Sequence, residues 1–192
     1  MKDKLVRTFF SIPVPDRVRS VKNLFYRSMK DSHGEIRWVR DYQLHITLSF
    51  LGHTPSDAID PIIKATKEIF SKYKPLELTI EKTGCFPVST RPRVLWLGVS
   101  GDREKLDLMV KEINSLLTPM GYFFGESSFI PHITIARIRY PQKHTPDINE
   151  FLKSSYDGIV FHADRVQFVC SELLPDGAVY TILKSFPLGE NI

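Results

Sequence analysis

The sequence predicts an α+β or mixed α/β protein built from two pseudo-symmetric lobes. Short β-branched and aromatic segments alternate with segments of helical periodicity, and short turns join them. The second half of the chain repeats the order of the first, and the pattern His-x-Thr occurs at matching places in both. We therefore expect residues 1–192 to form a single bilobal domain, with approximate repeat halves at 1–90 and 91–192.

The composition is that of an ordinary globular domain. The 192 residues are 42% hydrophobic and 25% charged, with a formal net charge of +4. These values exclude a disordered or fibrous chain and permit an anionic ligand. Cys85 and Cys170 cannot build a disulfide framework or a cysteine zinc site. Because the apolar run 94–99 is only as long as a strand and no export signal is present, we expect a soluble, cytoplasmic protein that contacts no membrane.

The first half contains four predicted strands and two predicted helices. Residues 5–14 are β-branched and aromatic and end at prolines, which predicts a strand. The first helix is predicted from apolar residues spaced three and four apart, namely Val18, Val21, Leu24, Phe25 and Met29. The second helix is expected to begin with Thr54 as N-cap and Pro55 in the first turn, although Pro61 can move its start to Asp60. The predicted elements are strands at 5–14, 36–39, 44–51 and 76–86, and helices at 16–30 and 54–73.

The second half shows the same alternation. The predicted elements are strands at 93–99, 129–138, 159–173 and 178–186, and helices at 102–117 and 147–156. The last two strands are expected to form a hairpin around Pro175-Asp176-Gly177, a sequence that favours a tight turn.

Each half carries one His-x-Thr motif inside a predicted strand, His45-Ile46-Thr47 and His132-Ile133-Thr134. Side chains alternate along a strand, so the His and Thr of each motif share one face and the Ile occupies the other. Two such polar faces, pointing at each other, would surround a small anion. One neutral imidazole can activate water and one protonated imidazole can donate to a leaving oxygen, while the hydroxyls hold phosphoryl oxygens. The pattern predicts phosphodiester cleavage without a metal ion.

Other chemistries fit these residues less well. Neither motif has the His-x-x-x-His or His-x-Glu spacing that would supply zinc ligands, so no metal site is expected. The chain has no G-x-S-x-G, P-loop or GxGxxG pattern, which argues against a serine nucleophile and a nucleotide cofactor. A single His in a strand is usually structural, but two copies at matching places favour a catalytic role.

The motifs and their context resemble the 2H phosphoesterase superfamily, and within it the RNA 2′,3′-cyclic phosphodiesterase family, once named 2′-5′ RNA ligases. The resemblance spans nearly the whole chain in the family order. It is carried by the segments RTFFSIP at 7–13, Trp38, LHITLSFLG at 44–52, GCFP at 84–87, PRVLWLGV at 92–99, FIPHITIAR at 129–137 and a strand around Tyr180.

This resemblance implies an α+β fold in which each lobe is an antiparallel sheet with helices outside and the motifs face a central cleft. It implies His45 and His132 as catalytic residues, Thr47 and Thr134 as substrate-binding residues, and hydrolysis without metal or cofactor. The family pattern also places a phosphate-binding arginine at Arg137.

The alternation of side chains along a strand argues against this phosphate-binding role of Arg137. Arg137 lies five residues after His132, so in a regular strand its side chain would face away from the imidazole. A β-bulge, or the length of the side chain, could bring it back. Arg93 and Arg139 are expected to be ordinary surface charges.

We expect the protein to hydrolyse RNA 2′,3′-cyclic phosphate ends to 2′-phosphates, with His45 as general acid and His132 as general base. RNA ends or cyclic nucleotides would be the substrates, and the protein is expected to be a monomer. Two alternatives remain open at this stage. One is cleavage or ligation of 2′-5′ RNA linkages, and the other is a non-catalytic module that binds RNA ends.

Overall fold

The computed structural model describes residues 4–29, 34–125, 128–174 and 177–189. The strands within these ranges are β1 (Leu5–Pro13), β2 (Ile36–Trp38), β3 (His45–Pro55), β4 (Leu76–Phe86), β5 (Val94–Gly101), β6 (His132–Ile138), β7 (Ile159–Ala163), β8 (Arg165–Leu174) and β9 (Gly177–Pro187). The α-helices are α1 (Arg17–Ser28), α2 (Ile59–Ser71), α3 (Arg103–Leu117) and α4 (Asn149–Lys153). Over the described part of the chain, no helix is both long enough and apolar enough to cross a membrane.

The strands form one antiparallel sheet, which confirms the α+β class. Their order is β7-β4-β5-β6-β3-β1-β8-β9, and β2 pairs with β6 beside this path. The sheet divides into a first lobe of β3, β1, β8 and β9 and a second lobe of β6, β5, β4 and β7, with β2 attached to the second. The sheets of the two lobes are continuous, because Ile46 of β3 pairs with Ile133 of β6.

The two lobes exchange strands between the halves of the sequence. β4 comes from the first half but pairs with β5 and β7 in the second lobe. β8 and β9 come from the second half but extend the first lobe through the pairing of β8 with β1. Outward from the central pair, each lobe has its motif strand, then the strand that opens the same half of the chain, then a strand from the other half. Neither lobe therefore corresponds to one half of the chain.

Helix α2 begins within one residue of Asp60, the later start predicted from Pro61, and the prediction of Thr54 as its N-cap is wrong. Thr54 is completely buried and shares a hydrogen bond with Thr8 over 2.7 Å between hydroxyl oxygens. The β1–β3 ladder continues to the pair of Leu5 with Pro55, which keeps these residues in β3. The helix starts at Ile59 and accommodates Pro61 in its first turn, where a backbone N–H is not needed.

The predicted strand at 159–173 is two strands in the structure. β7 ends at Ala163 on β4, and β8 begins at Arg165 on β1, so the single residue Asp164 carries the chain from the second lobe to the first. The sequence predicts one strand here because β7 and β8 both alternate buried and exposed residues, with one residue between them. β8 and β9 form the predicted hairpin, while Pro175 and Asp176 of its turn lie outside the described residues.

The hydrophobic core lies on one face of the sheet, beneath the helices. In the first lobe the completely buried ring of Phe10 contacts Phe70 of α2, Phe168 of β8 and Phe186 of β9, with centroid distances of 5.6, 4.6 and 6.3 Å. In the second lobe α3 contributes one buried stripe, made of Leu106, Met109, Val110, Ile113 and Leu117. The opposite face of the sheet is left open where the lobes meet.

The central pair gives a first prediction. Ile133 is completely buried, so Ile133→Ala should lower the free energy of unfolding by about 2–5 kcal/mol through lost burial and a cavity. Val160→Ala is the control, because Val160 is 58% exposed. Urea unfolding of both variants measures the difference. An equal loss in the two variants would show that the central pair contributes no special stability.

Candidate functional site

The pairing of Ile46 with Ile133 brings both His-x-Thr motifs together. These isoleucines are completely buried, so the flanking histidines and threonines project from the opposite face of the sheet. The antiparallel register then sets His45 opposite Thr134, and Thr47 opposite His132. Cross-strand neighbours in such a register have Cβ atoms about 4.5–5.5 Å apart. All four side chains line a cleft of about 880 Å³.

The two imidazoles are held by the same hydrogen bond. Nδ1 of His45 donates to the carbonyl oxygen of Gln43, and Nδ1 of His132 donates to that of Ile130, both over 2.7 Å. Because a carbonyl oxygen can only accept, Nδ1 carries the proton in the neutral ring. This leaves Nε2 of each histidine with a lone pair for proton transfer. Nε2 of His45 lies 3.0 Å from the hydroxyl oxygen of Thr47, which can donate to it.

Aromatic rings pack against both histidines. Phe9 stacks on His45 with a centroid distance of 4.9 Å, and Tyr180 meets the same imidazole edge-on at 5.5 Å. On the other side of the cleft Phe86 meets His132 edge-on at 5.1 Å. Trp96 lies beside His132 at 6.3 Å. These rings restrict the orientation of each imidazole and remove part of its hydration.

Burial lowers the pKa of both histidines below the ordinary value of 6.5. The hydrogen bonds from Nδ1 to the backbone oppose this effect, and the positive charge of Arg137 adds to it in both cases. For His45 the nearby His132 lowers the pKa further. In the absence of an anion the cleft therefore favours two neutral imidazoles.

A β-bulge places Arg137 on the cleft side. Trp96 of β5 pairs with Thr134, but the next pair joins Leu95 to Ala136, so Ile135 is the extra residue. Ile135 and Ala136 are both completely buried, and the alternation resumes one residue out of phase. Arg137 therefore shares the face of the two motifs and lines the same cleft.

The cleft is strongly basic. Among the described residues that line it there are five arginines and no carboxylate: Arg7, Arg37, Arg40, Arg137 and Arg139. Arg139, predicted to be an ordinary surface charge, is exposed and borders this cleft. Arg93 lies elsewhere, over the ring of Tyr140 at 5.8 Å.

Sequence reasoning missed Arg7 and Arg37. Arg7 lies over the ring of Phe50 at 5.3 Å, and Arg37 pairs with Arg137 across β2 and β6. The alternation of Ile36, Arg37 and Trp38 indicates that Arg37 leaves the core face. Its position near the motifs depends on the pairing of β2 with β6, which no local pattern reveals.

The comparisons with known proteins agree with this geometry. A family model described as "LigT like Phosphoesterase" matches residues 12–96. A curated relative from Aquifex aeolicus, named RNA 2′,3′-cyclic phosphodiesterase, is 35% identical and the match covers 97% of this chain and 99% of the relative. A relative of the same name from Thermotoga maritima is 31% identical over 93% of each chain. The chain belongs to the LigT-like phosphoesterase family.

Solved structures show the same fold. A crystal structure from Thermus thermophilus matches with a TM-score of 0.76 and 26% identity, covering 95% of this chain and 98% of that one. The structure of Escherichia coli LigT complexed with 3′-AMP matches with a TM-score of 0.78 and 22% identity, covering 97% and 100%. Membership of this 2H family makes the chain an enzyme, a phosphoric diester hydrolase.

Donor groups for a metal ion do not converge among the residues that the structure of this phosphoesterase describes. Within the described ranges, no three His, Cys, Asp or Glu side chains lie together in a way that could hold an ion. The charge that faces the cleft comes from arginine side chains instead.

The lowered histidine pKa values predict how stability depends on pH. In the unfolded chain each histidine binds a proton near pH 6.5, whereas in the folded protein His45 and His132 do so only at lower pH. The unfolded state therefore binds more protons below about pH 6.5, and the free energy of unfolding should fall as pH drops through this window. Urea titrations in phosphate-free buffer at about pH 7.5 and pH 5.5 measure the decrease.

His45→Gln and His132→Gln should each make this pH dependence shallower. His162→Gln is the control, because His162 is exposed and lies far along β7 beside Glu77. If the free energy of unfolding changes with pH equally in the unmodified protein and all three variants, the pH dependence does not originate from the two cleft histidines.

Proposed function

We propose that this phosphoesterase hydrolyses RNA 2′,3′-cyclic phosphate ends to 2′-phosphates. The observation that carries the proposal is the pair of imidazoles on adjoining strands, each with Nδ1 tied to the backbone and Nε2 available. Such a pair can supply one base and one acid to a single phosphorus atom. The names of the relatives from Aquifex aeolicus and Thermotoga maritima supply the identity of the substrate.

In the proposed reaction Nε2 of His132 accepts a proton from water, and the water oxygen forms a bond to phosphorus. The bond between phosphorus and the 3′-oxygen breaks, and Nε2 of protonated His45 donates its proton to that oxygen. The products are a 2′-phosphate and a 3′-hydroxyl. The assignment of roles is supported by exposure, since the hydrogen bond that holds His132 is open to solvent, while that of His45 is partly buried.

The remaining cleft residues stabilise the phosphate. We propose that the hydroxyls of Thr47 and Thr134 donate to non-bridging oxygens and that Arg137 compensates their negative charge. The arginines supply the positive charge that a metal ion would otherwise provide, so no metal is required. Because one chain supplies both motifs and the substrate is RNA, we further propose that the enzyme acts as a monomer in the cytoplasm.

The direct test uses an oligonucleotide with a 2′,3′-cyclic phosphate end in excess EDTA. A 2′-phosphate product formed at an undiminished rate is expected. His45→Ala and His132→Ala should each lower kcat by about 10²- to 10⁴-fold, the usual contribution of general acid or base catalysis. Thr47→Val and Thr134→Val should each lower kcat/KM by about 10- to 150-fold through loss of a charge-assisted hydrogen bond. Tight RNA binding without turnover by the unmodified protein would support a binding module instead.

The two histidine roles can be separated with a better leaving group. A substrate with sulfur in place of the 3′-oxygen releases a thiolate that needs little protonation. His45→Ala should recover most of its lost rate on this substrate, whereas His132→Ala should not, because water still requires a base. Recovery by His132→Ala alone would reverse the assignment.

A further prediction concerns the pH dependence of turnover. Both kcat and kcat/KM should be bell-shaped, with apparent pKa values that belong to the histidine pair. Burial and Arg137 lower both pKa values in the free enzyme, whereas a bound phosphate anion favours the imidazolium form. The kcat profile should therefore lie at higher pH than the kcat/KM profile. Rates measured from about pH 4.5 to 9 test this order, and coincident profiles would contradict it.

A further inference from the structure

The cleft of this phosphoesterase has two unlike walls beyond the histidines. One is an arginine wall, formed by Arg37 of β2, Arg137 of β6 and Arg139, which follows the end of β6. The other is a hairpin wall, formed by Leu173, Leu174 and Ala178 where β8 and β9 approach their turn. Hydrolysis of a cyclic phosphate, as proposed, uses the two motifs and Arg137, and explains neither Arg37 and Arg139 nor the hairpin wall.

The arginine wall concentrates charge that the fold does not neutralise. Arg37 is directly opposite Arg137 in the β2–β6 ladder, and like charges in this relation repel each other. Among the described residues, Arg37, Arg137 and Arg139 form no ion pair with a carboxylate. Arg37 is exposed, so packing does not require an arginine at this position. An anion bound by the guanidinium groups of both side chains would remove the repulsion between them.

The arginine wall extends away from the reacting phosphate. Arg137 follows the second motif within β6, and its charge acts on both histidines. Arg139 lies two residues further along the chain, which corresponds to roughly 6–7 Å of extended backbone. Arg37 lies beside Arg137, on the opposite edge of β6 from β5. These two arginines are therefore placed for a second phosphate, beyond the one at the histidines.

The hairpin wall is apolar and open. Leu173 is 62% exposed and Leu174 is 47% exposed, although both border the cleft. Gln43 donates a side-chain hydrogen bond to the carbonyl oxygen of Ala178 and thereby ties this hairpin to the turn before His45. A groove with cations on one side and apolar surface on the other matches the backbone and the bases of a single nucleic-acid strand.

We propose that the two walls form a docking groove for the RNA strand that precedes the cyclic phosphate end. The internucleotide phosphate next to the terminal nucleotide lies at Arg37 and Arg139, and the bases lie against the hairpin wall. The preferred substrate class is then an oligonucleotide of two or more nucleotides, rather than a nucleoside 2′,3′-cyclic phosphate. This inference rests on the proposed function and specifies its substrate.

The test compares kcat/KM for a nucleoside 2′,3′-cyclic phosphate and for a dinucleotide that ends in the same cyclic nucleotide. The dinucleotide should be preferred by at least about tenfold, the expected gain from one charge-assisted contact. Arg37→Gln and Arg139→Gln should each reduce this ratio toward one. Each should also make the salt dependence of kcat/KM for the dinucleotide shallower by about 0.7 in the log–log slope. Leu173→Gln should lower the ratio without changing that slope.

Arg27→Gln is the matched control, because it removes one exposed arginine from α1, outside the cleft. It should keep the ratio and the slope of the unmodified enzyme. Equal kcat/KM values for the two substrates in the unmodified enzyme would overturn the groove while leaving the proposed function intact. The groove would also be overturned, with the proposed function intact, if Arg37→Gln and Arg139→Gln both kept the unmodified enzyme's ratio of kcat/KM for the two substrates. Absence of turnover on both substrates would contradict the proposed function itself.

Discussion

The site depends on one pair of residues, Ile46 and Ile133, where the two lobes join. Their pairing makes one sheet out of two, and their burial turns the neighbouring histidines and threonines to the open face. A shift of one residue in this register would reverse the face of every motif side chain. Hydrophobic burial, a non-directional effect, thereby sets the directions of four polar groups. The cleft chemistry follows from core packing at the centre of the sheet.

The electrostatics of the cleft suit an enzyme that binds an anion before it reacts. Arg137 and burial both disfavour a charged imidazole, so the free cleft favours the neutral form of each histidine. A phosphate that enters brings negative charge to the same place, and the balance for one histidine can change toward the protonated form. In the proposed mechanism, the proton needed by the leaving oxygen is taken up together with the substrate. The arginine wall adds attraction for the anion, and no described residue that lines this cleft carries a carboxylate.

The sequence predicted the elements and the motif faces because both depend on local periodicity. The boundaries of β4 and the apolar stripe of α3 follow from this kind of pattern. The strand exchange between lobes was not predictable, because pairing of β8 with β1 joins residues far apart in the chain. The cleft position of Arg137 required a bulge at Ile135, and burial of two successive residues is visible only in three dimensions. For Arg37 the missing information was its partner strand.

The pseudo-symmetry of the lobes also shows where substrate direction originates. The first three strands outward from the central pair correspond in the two lobes, and the two imidazoles have matching backbone hydrogen bonds. A symmetric cleft could not distinguish the leaving oxygen from the attacking water. Two features break the symmetry among the described residues: β2 pairs with β6, and the exposed leucines that line the cleft, Leu173 and Leu174, belong to the β8–β9 hairpin. Because both lie outside the repeated motif, they are the features through which the proposed groove would orient the RNA strand and give equivalent histidines different roles.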